Sequence, residues 1–149
     1  MKKILVLLFT ALMAVSCTDS DFYDDQNYGD IGFMGGITVT NTYGDILLTG
    51  DGVNFGLVDE GRHESTLFMY NIKFASMMPA MDLVVPYIRH TYGNGTVVFN
   101  GNDLIPCDSY GFPYPEYRIR NLHGEMYNRE LTISFECLGR RISYRGYII

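Results

Sequence analysis

The feature that most constrains the fold of this chain is a regular alternation of short β-prone runs with turn-forming residues. From Phe33 onward, Gly, Asn, Asp and Pro interrupt the sequence about every ten residues, a spacing typical of β-sandwiches and β-barrels. Turns such as Tyr92-Gly93-Asn94-Gly95 supply residues that tolerate a positive φ, as tight hairpins require. The predicted strands are 36–41, 45–49, 53–58, 66–74, 83–91, 96–99, 116–122, 130–138 and 141–149.

Three of these strands alternate apolar and polar residues, which indicates an antiparallel sheet with one solvated face. The side chains predicted to face inward are Phe68, Tyr70, Ile72 and Phe74 in the first, Tyr117 and Ile119 in the second, and Leu131, Ile133, Phe135 and Cys137 in the third. An eight-stranded barrel is just wide enough either to be filled by side chains or to hold one small ligand. The bulk of these residues favours a filled interior.

The composition also favours β-structure, because the chain has 12 Tyr, nine Phe and 16 Gly. No stretch after residue 16 keeps a helical period. Only 75–81 could form a helical turn, and Pro79 prevents it from extending into a longer helix. About eight antiparallel strands suit an up-and-down barrel, because closure removes exposed strand edges. The sequence therefore predicts an all-β fold: one barrel domain over residues 33–149.

The N-terminus predicts export and a lipid anchor. Lys2 and Lys3 precede 12 uncharged, mostly apolar residues, a length that fits a signal peptide and is too short to span a bilayer. The following Ala14-Val15-Ser16-Cys17 resembles a bacterial lipobox. Residues 1–16 are therefore expected to be a lipoprotein signal peptide, and Cys17 the site of lipid attachment that binds the protein to a membrane.

Residues 17–32 are predicted to form an acidic flexible tether, because four carboxylates fall within 18–25 and repel one another. The expected location is the outer membrane, with the periplasmic and surface leaflets both open. Without residues 1–16 the chain has nine cationic side chains against 17 acidic ones, a net charge near −8. That charge argues against nucleic acid as a partner. A monomer is expected.

Four runs resemble the calycin-like (lipocalin-like) β-barrel lipoproteins of Bacteroidetes. The runs are 36–40, 71–82, 117–122 with Gly124, and 130–135. The resemblance implies an eight-stranded barrel with a possible ligand cavity, and it carries over no functional residue. The chain lacks Trp, and Gly32-Phe33-Met34 stands where many lipocalins have a G-x-W motif.

Catalytic and metal motifs are absent from the sequence, so no enzyme activity and no cofactor are predicted. There is no G-x-S-x-G nucleophile motif, and Asp59-Glu60 is interpreted as a solvated hairpin tip. His63, His90 and His123 are far apart in sequence, so each is expected on the surface rather than in a metal site.

The two cysteines after Cys17 leave two alternatives. An oxidising compartment would permit a disulfide between Cys107 and Cys137. The period-two pattern instead places Cys137 in the core as a small apolar residue.

Two segments are candidate binding sites. The cluster of Met77, Met78 and Met81 could plug one end of the barrel, gate an apolar ligand or bind Cu(I), and the plug is favoured. The Tyr–Pro segment 110–117 could present stiff aromatic rings to a glycan or flat ligand, or simply pack on the barrel end. The candidate ligand-binding residues are Tyr70, Phe74, Met78, Met81, Tyr110 and Tyr114.

The predicted function is a non-enzymatic binding module for a small apolar or amphiphilic ligand. The alternative is a structural or accessory surface lipoprotein that acts through protein or glycan contacts.

Overall fold

The computed structural model of the chain describes residues 28–149. The predicted signal peptide, the lipid-attachment residue Cys17 and the tether up to residue 27 lie outside the described residues and stay predictions.

Eight antiparallel strands form a closed up-and-down barrel, which confirms the predicted fold class. Each strand pairs with its neighbours in sequence, and the last strand pairs with the first to close the barrel. The strands are β1 (Asp30–Thr40), β2 (Ile46–Gly61), β3 (Glu64–Ile72), β4 (Met81–Gly93), β5 (Thr96–Gly101), β6 (Arg120–Tyr127), β7 (Glu130–Cys137) and β8 (Arg140–Ile148). Within residues 28–149 the only helix is one 3-10 turn, Pro115–Tyr117. This part of the chain has no helix that could cross a bilayer.

Two strand boundaries differ from the prediction at the start of the barrel. β1 begins at Asp30, inside the stretch expected to be tether. The predicted strands 45–49 and 53–58 are one strand, β2, because Gly50-Asp51-Gly52 forms a bulge rather than a turn. There, two residues of β2 lie opposite one residue of β1, and Gly52 takes a positive φ of 66°.

The inward face predicted for β3 is wrong in its first half. Leu67 and Met69 are buried inside the barrel, whereas Phe68 and Tyr70 lie on its outer wall. Asn71 has a φ of 54° in a bulge opposite β4, and this extra residue reverses the alternation. Ile72 and Phe74, beyond the bulge, are buried as predicted.

The predicted strand 116–122 is also wrong in extent, since the helical turn occupies its first residues and β6 begins at Arg120. Asn121, with a φ of 52°, forms a bulge opposite β7. Ile119 is buried as predicted, and Tyr117 is partly buried. In β7 the predicted inward face is confirmed, because Leu131, Ile133, Phe135 and Cys137 are all buried.

Side chains fill the interior of the barrel. The apolar core residues are each no more than 9% exposed, so they pack on one another rather than around a ligand-sized space. The ring of Tyr144 stacks on Phe55 at a centroid distance of 3.8 Å, and its hydroxyl donates to the carbonyl of Val53 at 2.9 Å. This ring occupies the space next to Gly146, where any Cβ would overlap the Tyr144 hydroxyl.

The connection 73–80 plugs one end of the barrel, which confirms the favoured plug for Met78 but not for Met77, whose side chain is 93% exposed. Phe74 and Met78 are buried, and the backbone N–H of Phe74 donates to the Met78 sulfur at 3.3 Å. Arg140 Nη1 donates to the carbonyl of Phe74 at 3.2 Å. We call this end, which also carries the loops 41–45, 102–119 and 138–139, the plug end. The opposite end, where the chain enters at Tyr28, is the N-terminal end.

Both cysteines of the barrel are free thiols. Cys137 is buried, as predicted, and its thiol donates to the carbonyl of Tyr117 at 3.4 Å. Cys107 donates instead to the carbonyl of Val84 at 3.6 Å. Burial raises the pKa of the Cys137 thiol to about 12.

Candidate functional site

The six residues predicted to bind a ligand do not form one pocket. Phe74 and Met78 belong to the plug, and Met81 is half-buried at the start of β4. Tyr70 is on the outer wall, and Tyr110 and Tyr114 lie in the loop 102–119 at the plug end. Of these residues, only Tyr70 lines a groove described below.

A groove of about 660 Å³ runs along the outer wall over β1, β2 and β3. Its side is formed by Phe68 and Tyr70, whose rings are nearly parallel, at an interplanar angle of 11° and a centroid distance of 6.4 Å. Its floor contains Gly32 and Gly56, which are cross-strand partners. Ile149 closes it on the side of β8. We call this the outer-wall groove.

Two sequence features produce the outer-wall groove. The bulge at Asn71 reverses the face of β3 and turns two aromatic rings outward, where period-two reading predicted them inside. Gly56 lacks the side chain that would occupy the floor: a Cβ there would lie 3.7 Å from both Phe68 and Tyr70, an ordinary contact distance. A larger residue at position 56 would therefore fill the groove without straining the backbone.

The chemistry of the outer-wall groove is mainly apolar. Ile31, Val58 and Ile149 line it together with the two rings, and Asp30 is the only acidic side chain of its lining. No Lys, Arg or His is among its lining residues. The groove therefore suits a neutral or cationic apolar molecule better than an anionic one.

The loop 102–119 presents Tyr110 on an ordered turn. Asp108 Oδ1 accepts hydrogen bonds from the backbone N–H of Tyr110 at 2.8 Å and of Phe112 at 3.0 Å. Gly111, between them, has a φ of 93° that favours glycine. Tyr110 and Phe112 are 87% and 69% exposed, so the turn holds two aromatic rings in solvent. Tyr114 is half-buried and packs against Tyr117.

A buried polar cluster closes the N-terminal end of the barrel. Ser65 Oγ lies 2.5 Å from His90 Nδ1, and the Tyr28 hydroxyl donates to Ser65 Oγ at 2.8 Å. On the other side of the ring, His90 Nε2 lies 3.6 Å from Asp59 Oδ2. That oxygen accepts hydrogen bonds from the Tyr92 hydroxyl at 2.8 Å and from the Tyr28 N–H at 3.1 Å.

This cluster corrects two predictions. His90 is 2% exposed and lies in the core, not on the surface, and Asp59 is buried in β2 rather than at a solvated hairpin tip. Period two could have placed Asp59 inside, because it follows Phe55 and Leu57 on the same face. His90 was hidden by the bulge at Tyr87, which has a φ of 68° and shifts the inward set of β4.

The electrostatics of the polar cluster follow from burial. Desolvation lowers the pKa of His90, and the neighbouring Asp59 partly opposes this shift. Desolvation raises the pKa values of Tyr28 and Tyr92 well above their ordinary range. Ser, His and Asp side chains in a chain of contacts are the groups of a hydrolase triad. Here Ser65 and His90 are sealed from solvent, so a substrate cannot reach the hydroxyl without displacing Tyr28.

Of the other two His residues, His63 borders this cluster and His123 lies away from it. His63 is half-buried, with its ring centroid 6.0 Å from that of His90. His123 is exposed on the outer wall, as predicted. Within residues 28–149, no three His, Cys, Asp or Glu side chains converge to hold a metal ion.

No protein-family model, no curated protein and no solved structure matches this chain. The relation to the calycin-like lipoproteins of Bacteroidetes stays a prediction that rests on the sequence runs described above.

Proposed function

We propose that this protein is a non-enzymatic envelope lipoprotein that binds a small apolar or amphiphilic ligand in its outer-wall groove. In this proposal residues 1–16 direct export, Cys17 carries the lipid, and the barrel acts as a monomer at the outer membrane. The observation that carries the proposal is the groove itself, in which two parallel rings stand beside a glycine floor on the outside of a filled barrel.

The filled interior supports a ligand on the outer wall rather than inside. The groove volume of about 660 Å³ falls within the 300–1,000 Å³ typical of small-molecule sites. Apolar surface on Phe68, Val58 and Ile149 would be removed from water by an alkyl chain or a flat ring. Because Asp30 is at the rim without a cation nearby in the lining, a neutral molecule is favoured over a fatty acid.

The chemistry around the groove supports binding without catalysis. Its ionisable lining residues are Asp30 and Tyr70, and neither is hydrogen-bonded to a nucleophile. The potential nucleophile Ser65 is instead sealed in the polar cluster at the N-terminal end. An acid–base pair next to a substrate-sized space is what catalysis would require.

The test is a fluorescence titration of the full chain with N-phenyl-1-naphthylamine, a neutral apolar dye, against wild type and Gly56→Val. The valine fills the floor, so dye binding should be lost while the far-ultraviolet circular dichroism stays unchanged. Gly93→Val is the matched control, since a Cβ at Gly93 meets nothing within 4 Å and lies outside the groove. Unchanged dye binding by Gly56→Val would refute the proposal.

The charge argument has its own test. The sulfonated dye 1-anilinonaphthalene-8-sulfonate is similar in size but anionic, and it should bind more weakly than the neutral dye. Asp30→Asn should reduce the difference between the two dyes. Equal binding of both dyes by the wild type would show that Asp30 does not select the ligand charge.

The anchor is tested separately from the ligand. Cys17→Ala should move the protein from the membrane fraction to the soluble fraction of the cell envelope. A Cys17→Ala variant that still partitions with membranes would contradict lipid attachment at this residue.

A second candidate function rests on the ordered Tyr110 turn, which favours an accessory protein that contacts a protein or a glycan. An aromatic ring fixed in solvent loses little conformational entropy on binding, and such rings often dominate interfaces. Tyr110→Ala and Phe112→Ala, which remove the two exposed rings, should then weaken cross-linking of the protein to its neighbours in intact cells without lowering its stability. Unchanged cross-linking would remove this candidate.

A further inference from the structure

A second depression, of about 450 Å³, lies on the outer wall over β6, β7, β8 and β1. Its chemistry is opposite to that of the outer-wall groove, because polar side chains line most of it. Adjacent strands place these side chains in two cross-strand rows. One row is Thr38, Ser143, Ser134, His123 and Asn100, and the other is Gly36, Arg145, Thr132 and Glu125.

Short side chains make the floor of this depression. Thr38, Ser143 and Ser134 follow one another across three strands, and Gly36 has no side chain. Within residues 28–149 the hydroxyls of Thr38, Thr132 and Ser143 have no side-chain hydrogen-bond partner. Each hydroxyl can both donate and accept, so the floor offers hydrogen bonds of both kinds to a molecule that lies on it.

Longer polar side chains form the rim. His123 Nδ1 is 3.1 Å from Asn100 Oδ1, and its Nε2 is 3.6 Å from Glu125 Oε2. On the other side, Arg145 donates to Glu130 through its Nε. Arg145 stands against two carboxylates, Glu125 and Glu130, so the rim does not attract anions, and it keeps several donors and acceptors.

Two exposed tyrosines border the depression towards the N-terminal end. Tyr127 and Tyr147 flank Glu130 as its cross-strand partners on β6 and β8, and both rings are largely exposed. They lie two residues along the strands from Glu125 and Arg145, and so on the same face. A ring at the edge of a hydroxyl-rich surface offers a face on which a sugar ring can stack.

We propose that this depression is a binding site for a neutral carbohydrate. A polyhydroxylated ring needs many donors and acceptors at once and an aromatic face, and the two rows with their bordering tyrosines supply both. The excess of carboxylates over cations at the rim disfavours an anionic sugar. The site is held on four paired strands, which fixes the side chains before the ligand arrives. It is separate from the outer-wall groove and does not depend on the function proposed for that groove.

The test is calorimetric titration of the full chain with maltose, cellobiose, lactose and N,N′-diacetylchitobiose, together with the anionic disaccharide of galacturonic acid. At least one neutral disaccharide should bind, and better than the anionic one. Failure of all the neutral sugars, or a preference for the anionic sugar, would overturn the proposal.

Variants connect binding to the depression. Ser143→Leu places an apolar side chain over the floor and removes a hydroxyl, so it should weaken sugar binding by about tenfold or more. Tyr147→Ala should weaken it by about tenfold through loss of stacking. Gly56→Val, in the outer-wall groove, should leave sugar binding unchanged. A sugar that binds Ser143→Leu as tightly as wild type would place the site elsewhere and overturn the assignment.

The same variants separate this site from the proposed function. Ser143→Leu should bind N-phenyl-1-naphthylamine as wild type does, while Gly56→Val should lose the dye and keep the sugar. Loss of both ligands in Ser143→Leu together with an unchanged circular dichroism spectrum would contradict two independent sites.

Discussion

Replacing Asp59 by Ala should destabilise the barrel more than any change to an exposed carboxylate. In the polar cluster this side chain accepts hydrogen bonds from the Tyr92 hydroxyl at 2.8 Å, the Tyr28 N–H at 3.1 Å and the Gly61 N–H at 2.9 Å. It also faces His90 Nε2 at 3.6 Å, and both side chains are almost completely buried. Removing the carboxylate leaves these donors without their acceptor in a largely buried site.

The expected loss follows from these contacts. A hydrogen bond to a charged group contributes about 1.5–3 kcal/mol, and deleting one member of a buried charged network typically costs about 3–5 kcal/mol. The sum over three such hydrogen bonds would exceed the value for the network. We use the network value because Tyr28 and Tyr92 are partly exposed and can donate to water once the carboxylate is removed. At roughly 4 °C per kcal/mol for a domain of this size, a loss of about 3–5 kcal/mol lowers the melting temperature by about 12–20 °C.

Asp103→Ala is the matched control. Asp103 lies 3.6 Å from both Arg118 and Arg120, but all three side chains are largely exposed. Exposed ion pairs contribute less than about 1 kcal/mol, and Ala tolerates the φ of 53° at this position less well than Asp, so this variant should lose about 1 kcal/mol, well below the loss expected for Asp59→Ala. The assay is urea unfolding followed by tyrosine fluorescence and circular dichroism. If Asp59→Ala and Asp103→Ala lose similar free energies of unfolding, the polar cluster does not stabilise the barrel as argued.

Three further predictions concern the core and its titrating groups. Burial lowers the pKa of His90 below its ordinary 6.5, so the unfolded chain binds this proton more tightly than the folded one. The free energy of unfolding should therefore fall as the pH drops through 6.5. In urea titrations from pH 8 to about pH 5, His90→Gln should remove this dependence and the control His123→Gln should keep it. Gly35→Ala should lower the free energy of unfolding in urea by about 2–3 kcal/mol, since its Cβ would overlap the carbonyl of Arg145 where β1 pairs with β8. Gly56→Ala should instead raise the free energy of unfolding by about 0.5 kcal/mol. Equal effects of the two variants would contradict the close approach of β1 and β8. The Cys137 thiol, with its pKa raised to about 12 by burial, should react with a thiol reagent only after unfolding. Fast labelling of Cys137 itself in the native protein, located by peptide mass spectrometry to separate it from the half-buried Cys107, would contradict its burial.

The candidate sites depend on features that period-two reading cannot place. The rings of the outer-wall groove were assigned to the interior because an unbroken strand would put Phe68 and Tyr70 on the same face as Ile72. One residue in the left-handed region, Asn71, reverses that face. Asn tolerates this conformation, but many Asn residues do not adopt it, so its presence alone does not mark a bulge. His90 was expected on the surface because no other His lies near it in sequence, and period two would not have corrected this, since the bulge at Tyr87 shifts the inward set of β4.

The sequence by itself determined the all-β class, the antiparallel barrel and the inward face of β7, because turn residues and alternation are local properties of the chain. Its expectation that a methionine of the segment 75–81 would plug one end also followed from a local fact, the adaptable side chain of Met78 between two strands, whereas the exposure of Met77 did not. Only the tertiary structure decided which residues meet. The polar cluster of Asp59, Ser65 and His90 joins three strands, and both candidate binding sites combine at least three strands, so their geometry depends on register. Register is shifted by each bulge, and a shift of one residue moves every following side chain to the other face of the wall.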